Sequence, residues 1–280
     1  MSRRFPASGS LAALAALALF SPVGTAQTLD PEQLPPEIRQ LLQAILTQPK
    51  VSPGVAFGSP IGFGARGGDY FFGVNGATTS GNRVAGIEND FIGDLDIDGS
   101  ITGGIGLGDP ERFVGVELAL NVISLTNDFG DSGALAVKVH RNIGTRGALS
   151  IGTENDLAWG EAKDFAERTT HTRFISYSHY FQTRANPMNP GGLMVTLGAG
   201  NGRLGTLDDP EDIAPFISIG YAITRRFSAI VDYAGETTNV GISIVPMYQL
   251  PVAVVLGVSD IKEKRSDSTV AFGLGYSSRF

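Results

Sequence analysis

The sequence predicts an all-β fold: an antiparallel transmembrane β-barrel of about 12 strands with a short N-terminal amphipathic helix ahead of it. Three observations carry the barrel. Twelve strand-like runs follow one another from Asp69 to the last residue, an even number as single-chain bacterial barrels require. The connections between them sort by length and acidity according to parity. The last run, STVAFGLGYSSRF (268–280), sets Val270, Phe272, Leu274 and Tyr276 against Ala271, Gly273, Gly275 and Ser277, and stops on Phe280. Strict period-2 alternation means a strand with one apolar face and one small or polar face.

Taken in order, the chain opens on an export signal. Arg3 and Arg4 precede an apolar stretch, Leu11 to Phe20, and a small-residue segment that fits cleavage after Ala26. The apolar stretch is too short for a spanning helix. Residues 1–26 are therefore read as a signal peptide, and their removal takes two arginines and no acid, moving the formal charge from −7 to −9. That acidity argues against nucleic acid as a partner, because a phosphate backbone needs a basic patch. The 280 residues contain no cysteine, so an exported chain of this kind has no disulfide and no lipid-modified cysteine to anchor it.

Residues 27–68 form a second region. QTLDPEQLPP is a polar, Pro-rich linker. Ile38, Leu41, Leu42, Ile45 and Leu46 then recur at helical spacing, so residues 37–48 read as an amphipathic helix ended by Pro49. Its stripe either docks on or plugs the barrel, or offers a handle to a periplasmic partner. Residues 51–68, with Pro53, Pro60 and six glycines, read as irregular backbone leading into the barrel.

The barrel proper is 69–280. Its runs are 69–78, 95–107, 112–124, 133–142, 147–155, 172–182, 192–201, 213–223, 226–235, 238–247, 252–260 and 268–280. Odd connections (79–94, 125–132, 156–171, 202–212, 236–237, 261–267) are mostly long and acidic. Even ones (108–111, 143–146, 183–191, 224–225, 248–251) are mostly tight turns. A transmembrane barrel has long outer loops, short periplasmic turns and both termini on the periplasmic side; a soluble sandwich has no reason to sort its loops this way. The faces agree: Val114, Val116, Leu118, Leu120 and Val122 share one face, as do Leu135, Val137 and Val139, and Val240, Ile242 and Ile244. Lipid offers nothing to satisfy a polar group, so these faces point out. Tyr70, Phe72, Tyr233, Tyr248 and Phe280 lie near run ends, where aromatic girdles sit.

With its final aromatic, residues 69–280 resemble a bacterial outer-membrane β-barrel protein. The stretches GIGLGDPERFVGVELA, FGDSGALAVKVHR, LGAGNGR and LPVAVVLGVSDI resemble an uncharacterised group of small cyanobacterial barrels. The resemblance implies an outer-membrane location and contact with outer-membrane lipid. It also implies assembly by the barrel-insertion machinery, with Tyr276 and Phe280 as a C-terminal assembly signal. It implies no substrate.

Three sets of residues are candidates for chemistry. Asp94, Asp96 and Asp98, followed by Gly99, resemble the start of a calcium loop, but the twelfth position is Ile105 and no helix flanks it. They read either as one face of a strand or as a rim site for Ca²⁺ or Mg²⁺; no other cofactor is implied. Glu117, Lys138 and Glu154 fall on the polar faces of successive runs, which places Lys138 roughly opposite both glutamates, with His140 beside it. Asp232 and Asn239 make a similar pair across the 236–237 turn. These charges either balance one another inside the lumen or form a constriction that selects solutes by charge. Catalysis is not expected. Barrel lipases resemble one another in a His-x-Ser pair on one strand face, and the residues two beyond His140, His171 and His179 are Asn142, Arg173 and Phe181. The expected function is a narrow passive channel for small solutes. The alternative is a structural or surface-interaction barrel with acidic, cation-binding outer loops and no open pore, and lumen occupancy separates the two.

Overall fold

Strict alternation calls for a surface with two unlike faces, and the chain supplies one that closes on itself. A computed structural model of the chain describes residues 35–39, 49–78, 90–92, 95–122, 132–160, 171–185, 191–264 and 268–280, with backbone alone at 90–92 and 95–98. The strands are β1 (Asp69–Thr78), β2 (Asp90–Ile92), β3 (Leu95–Gly108), β4 (Gly115–Val122), β5 (Gly133–Ile143), β6 (Gly147–Trp159), β7 (Thr172–Arg184), β8 (Gly191–Gly200), β9 (Ala214–Ala222), β10 (Phe227–Ala234), β11 (Thr237–Ile244), β12 (Val252–Ser259) and β13 (Thr269–Arg279). Twelve of them make the wall, each antiparallel to its chain neighbour; β2 pairs only with the tip of β3. The barrel closes where β1 meets β13, in unbroken register from Asp69↔Arg279 to Ala77↔Ala271. Arg279 Nε donates to Asp69 Oδ1 across that seam at 2.7 Å. Closure leaves no unpaired wall edge, the condition under which a sheet can stand in lipid.

The expected faces are realised. Outward side chains such as Phe72, Ile151, Leu157 and Leu197 are all more than half exposed, while inward Ala134, Ala148, Ser178, Thr196, Ser228 and Ser243 are completely buried. Polar, closed interior and bare aliphatic exterior is the inverse of a soluble protein, and it is what the alternation demanded. Tyr70, Phe72, Tyr276 and Phe280 gather on the outer surface at the seam, with Phe280 stacked on Tyr70 at 4.8 Å between ring centroids.

Three run boundaries shift by three residues or more, each for a local reason: β11 ends at Ile244, three short of the expected 247, ahead of Pro246, which has no N–H to give the ladder. β4 starts at Gly115, because Asp109 Oδ1 accepts from the N–H groups of Glu111 and Arg112 and Phe113 N–H reaches Asp109 O, so 109–114 is a side-chain-capped turn. β6 runs on to Trp159. Asn155, at φ 66°, and Asp156 are extra residues opposite the Leu135/Ala136 step, so the alternation breaks where the strand does not. Of the expected helix at 37–48, the described part is the turn 36–39, with Arg39 N–H bonded to Pro35 O at 3.0 Å.

Candidate functional site

The lumen is where the chain departs from an empty tube. Residues 51–68, expected only to lead into the barrel, run through its interior as an arch. The arch enters at the end that carries the C-terminus, where Lys50 N–H reaches Tyr248 O, climbs along β9 to β11, turns at Gly58–Pro60, and descends along β7, β6, β5 and β4. Extended backbone without a strand partner must find its hydrogen bonds elsewhere, and inward side chains supply them. On the ascent Gly54 N–H donates to Ser243 Oγ (2.8 Å), the Ser228 hydroxyl donates to Gly54 O, and Ser218 Oγ donates to Val55 O (3.3 Å). On the descent Ser150 Oγ donates to Ile61 O (3.3 Å), Gly62 N–H to Ser178 Oγ (2.8 Å), Lys138 Nζ to Phe63 O (3.1 Å) and Ala65 N–H to Glu117 Oε2 (2.8 Å). His140 Nε2 lies 3.0 Å from Ala65 O, and since a carbonyl only accepts, that nitrogen carries the proton. Gly67 N–H donates to Gly108 O (2.7 Å) and hands the chain to β1.

Charge holds the apex. Phe57 N–H and Ser59 N–H both donate to Oδ2 of the fully buried Asp232, at 2.8 and 3.1 Å. Opposite, Arg203 Nη1 donates to Gly58 O (2.7 Å), while its Nε and Nη2 take Glu154 in a bidentate pair (2.6 and 2.9 Å). Burial pulls the Arg203 pKa down, but the Glu154 carboxylate outweighs it and holds the guanidinium above its ordinary value. Arg203 reaches in because the β8–β9 connection folds back over the lumen. A 3-10 turn at Gly202–Leu204 drops Leu204 onto Phe174, Phe216 and Ala234. Close approach of arch and wall needs glycine: a Cβ on Gly220 would come within 2.3 Å of Val55 O, and one on Gly62 within 2.1 Å of Ala148 O.

The other side of the lumen is open. A cavity of about 620 Å³ lies between the arch, at Ala56 and Phe57, and the inner faces of β1, β3, β12 and β13. Its lining includes Gly73, Asn75, Ser100, Ala253, Ser259 and Gly275 and, among the described side chains, no charged residue; Asp98, the register partner of the lining residue Ala77, is described by its backbone alone. On β12 it extends from Ala253, the strand's second residue, to Ser259, its last. A smaller void of about 110 Å³ lies under Pro60, beside Glu117, Lys138 and Glu154.

The sequence-derived site residues find these places. Lys138 faces Glu117 in register and pairs with it at 3.0 Å. It does not stand between two glutamates as expected: its partner on β6 is Gly152, and Glu154, two residues further along, belongs to Arg203. Asp232 and Asn239 are register partners, yet their side-chain bonds run apart: Asp232 accepts from the arch, and Asn239 Oδ1 accepts from Asp260 N–H (2.9 Å). His140 is inward beside Lys138's arch contacts, and His179 faces out against Phe181. The side chains of Asp94, Asp96 and Asp98 lie outside the described residues. Among the described residues no group of His, Cys, Asp and Glu is arranged to hold a metal. Sequence reasoning missed Arg203 and the serine and threonine row (Ser150, Ser176, Ser178, Thr196, Ser218, Ser228, Ser243). The available signal was an inward face far richer in hydroxyls than any pore lining needs.

No protein-family model matches the chain, nor does any curated protein. Solved structures that match include the low-pH structure of Pseudomonas putida OprB, at 8% identity over 75% of this chain and 91% of that chain. The TM-score is 0.26, too low to carry an argument.

Proposed function

We propose that this protein is an outer-membrane β-barrel that passes small uncharged solutes through a narrow, one-sided passage beside its own built-in arch. The observation that carries the reading is the division of the lumen: the arch and the charges that hold it, Glu117, Lys138, Glu154, Arg203 and Asp232, occupy the β4–β11 half, while the β12–β13–β1–β3 half is open and, among the described side chains of its lining, uncharged. Outer-membrane placement rests on the even-numbered closed wall, the bare aliphatic exterior and the long-loop/short-turn parity. Size follows from the cavity. Ala253 to Ser259 is six steps of about 3.4 Å, roughly 20 Å along β12, so about 620 Å³ gives a cross-section on the order of 30 Å² and a radius of about 3 Å. That admits water and solutes of a few heavy atoms. The described side chains of the lining offer no charge that would sort ions by sign, and of the two readings of Glu117, Lys138 and Glu154 the charges that balance one another and hold the arch fit this passage better than a charge-selective constriction. The chemistry is passage, with no catalytic step.

A closed structural barrel is the second reading, favoured by the number of wall side chains that hold the arch. Two measurements separate them: single-channel conductance in planar bilayers, and swelling of proteoliposomes in small neutral solutes. Gly73 and Gly275 face the cavity, and a Cβ at either meets nothing nearer than 3.8 Å, so leucine fits there without disturbing the wall. The passage reading expects a small, weakly ion-selective conductance and solute flux in the parent, both cut sharply by Gly73→Leu with Gly275→Leu. A parent that neither conducts nor swells, in bilayers where it is folded, establishes the closed barrel instead. The narrower likeness to a cyanobacterial group forms no part of this reading.

A further inference from the structure

One sector of the rim is basic, bordered by the turn that holds Asp109 and Glu111. At the end bearing the C-terminus, four stretches of wall and turn, 140–150, 174–199, 213–231 and 240–259, contain no Asp or Glu and carry Arg141, Arg146, Arg184, Arg225 and Arg226. Of the connections at the opposite end, 202–212 is net acidic, with Asp208, Asp209, Glu211 and Asp212 against Arg203, Glu236 stands in the next, and 260–267 balances Asp260, Glu263 and Asp267 with Lys262, Lys264 and Arg265.

The arginines form one band along the rim. Arg141 is outward on β5, since its register partner Leu149 is an exposed outward residue, and Arg146 is exposed in the turn that follows. Tyr180 N–H donates to Arg146 O (2.8 Å), which ties that turn to β7. Arg184, at the end of β7, donates from Nη2 to Ile223 O (3.1 Å) and so reaches the 223–226 turn past the end of β8. Arg226 donates from Nε to Val245 O (2.7 Å) and sits over the Tyr248 ring at 4.7 Å, linking onward to β11 and the next turn. Just inside this band, on the lipid face, Tyr177 O–H and His179 Nδ1 are 3.0 Å apart and His179 packs on Phe181 at 4.6 Å. Aromatic residues at that depth seat a barrel at the headgroup level. A guanidinium fork matches a phosphate bidentately, and anionic lipid attracts a juxtamembrane basic residue by about 1 kcal/mol each.

Resting on the membrane placement above, we infer that the β5–β9 sector of the terminal-end rim is a binding surface for anionic phospholipid headgroups, with Arg141, Arg146, Arg184 and Arg225 as its phosphate contacts.

The test reconstitutes the full chain in phosphatidylcholine vesicles containing a minority of phosphatidylglycerol and counts lipids retained on the extracted barrel by native mass spectrometry. Phosphatidylglycerol is expected to be enriched over phosphatidylcholine, roughly fivefold for each engaged arginine, with the enrichment falling as salt rises. Arg141→Gln with Arg146→Gln, two exposed sites, removes most of it; Arg184→Gln with Arg225→Gln is the second variant; Asp208→Asn with Asp209→Asn leaves it unchanged. Heat-modifiability on gels confirms that each variant is folded. A folded parent that retains both lipids equally overturns the inference while leaving the passage untouched. Enrichment that survives both arginine pairs also overturns it. A parent that does not enter vesicles overturns this inference and the membrane placement together.

Discussion

Asp232→Ala is the most direct probe of the arch. Asp232 is fully buried and accepts two hydrogen bonds from the apex, from Phe57 N–H at 2.8 Å and Ser59 N–H at 3.1 Å. Alanine leaves two backbone donors without an acceptor inside the lumen. Each stranded group costs about 1–3 kcal/mol, so the apex loses about 2–6 kcal/mol. The wall ladders on either side, Ser218↔Asp232 and Asp232↔Asn239, are backbone and survive the change. The loss therefore falls on the arch as a local unit and leaves global unfolding little affected. At the lower bound of about 2 kcal/mol, the released arch becomes on the order of 30 times more populated. In planar bilayers this is expected as a rise of that size in the frequency of large-conductance openings, with the heat-modifiable band unchanged. Asp232→Asn keeps one side-chain oxygen and falls between. If Asp232→Ala conducts as the parent does and its arch resists protease as well as the parent's, the apex bonds are not what holds the arch down.

Lys138→Ala removes the partner of Glu117 and the donor to Phe63 O. The two side chains are 16% and 20% exposed, so the fully buried cost of 3–5 kcal/mol is discounted to roughly 1–3 kcal/mol, read as a lower denaturation midpoint; an unchanged midpoint shows that the pair is screened by water. Deleting Phe280 removes the 4.8 Å stack on Tyr70, worth about 0.5–1.5 kcal/mol, and is expected to lower the yield of inserted, heat-modifiable barrel; full yield breaks the link between the last residue and assembly. Single cysteines at Asp208 and Gly144 lie at opposite ends of the wall, and in intact cells an impermeant thiol reagent is expected to label only the former. Labelling at Gly144 alone reverses the orientation.

The wall was legible in the sequence because its signal is local. Period-2 alternation, turn residues and parity of connection length are written within ten or so residues of one another, and a one-residue slip anywhere would turn aliphatic faces inward. For that reason the run from 133 and the run from 252 match β5 and β12 to within a residue. It failed where local rules break, at the Asn155–Asp156 bulge, which hides the last third of β6 behind an interrupted pattern. The contents of the lumen were not legible. Pro53, Pro60 and the glycines of 51–68 mark irregular backbone equally well in a lead-in or an arch. What decides between them is whether Ser178, Ser243, Asp232 and Glu117 stand where that backbone needs acceptors, and these come from strands 52 to 189 residues away. The pairing of Glu154 with Arg203 depends in the same way on how the 201–213 connection folds back. The sequence by itself determined a twelve-stranded wall and its faces, because those follow from the chain's own period. Only the tertiary structure decided that half the lumen is filled and half is open, because that depends on contacts between segments whose spacing along the chain carries no trace of their meeting.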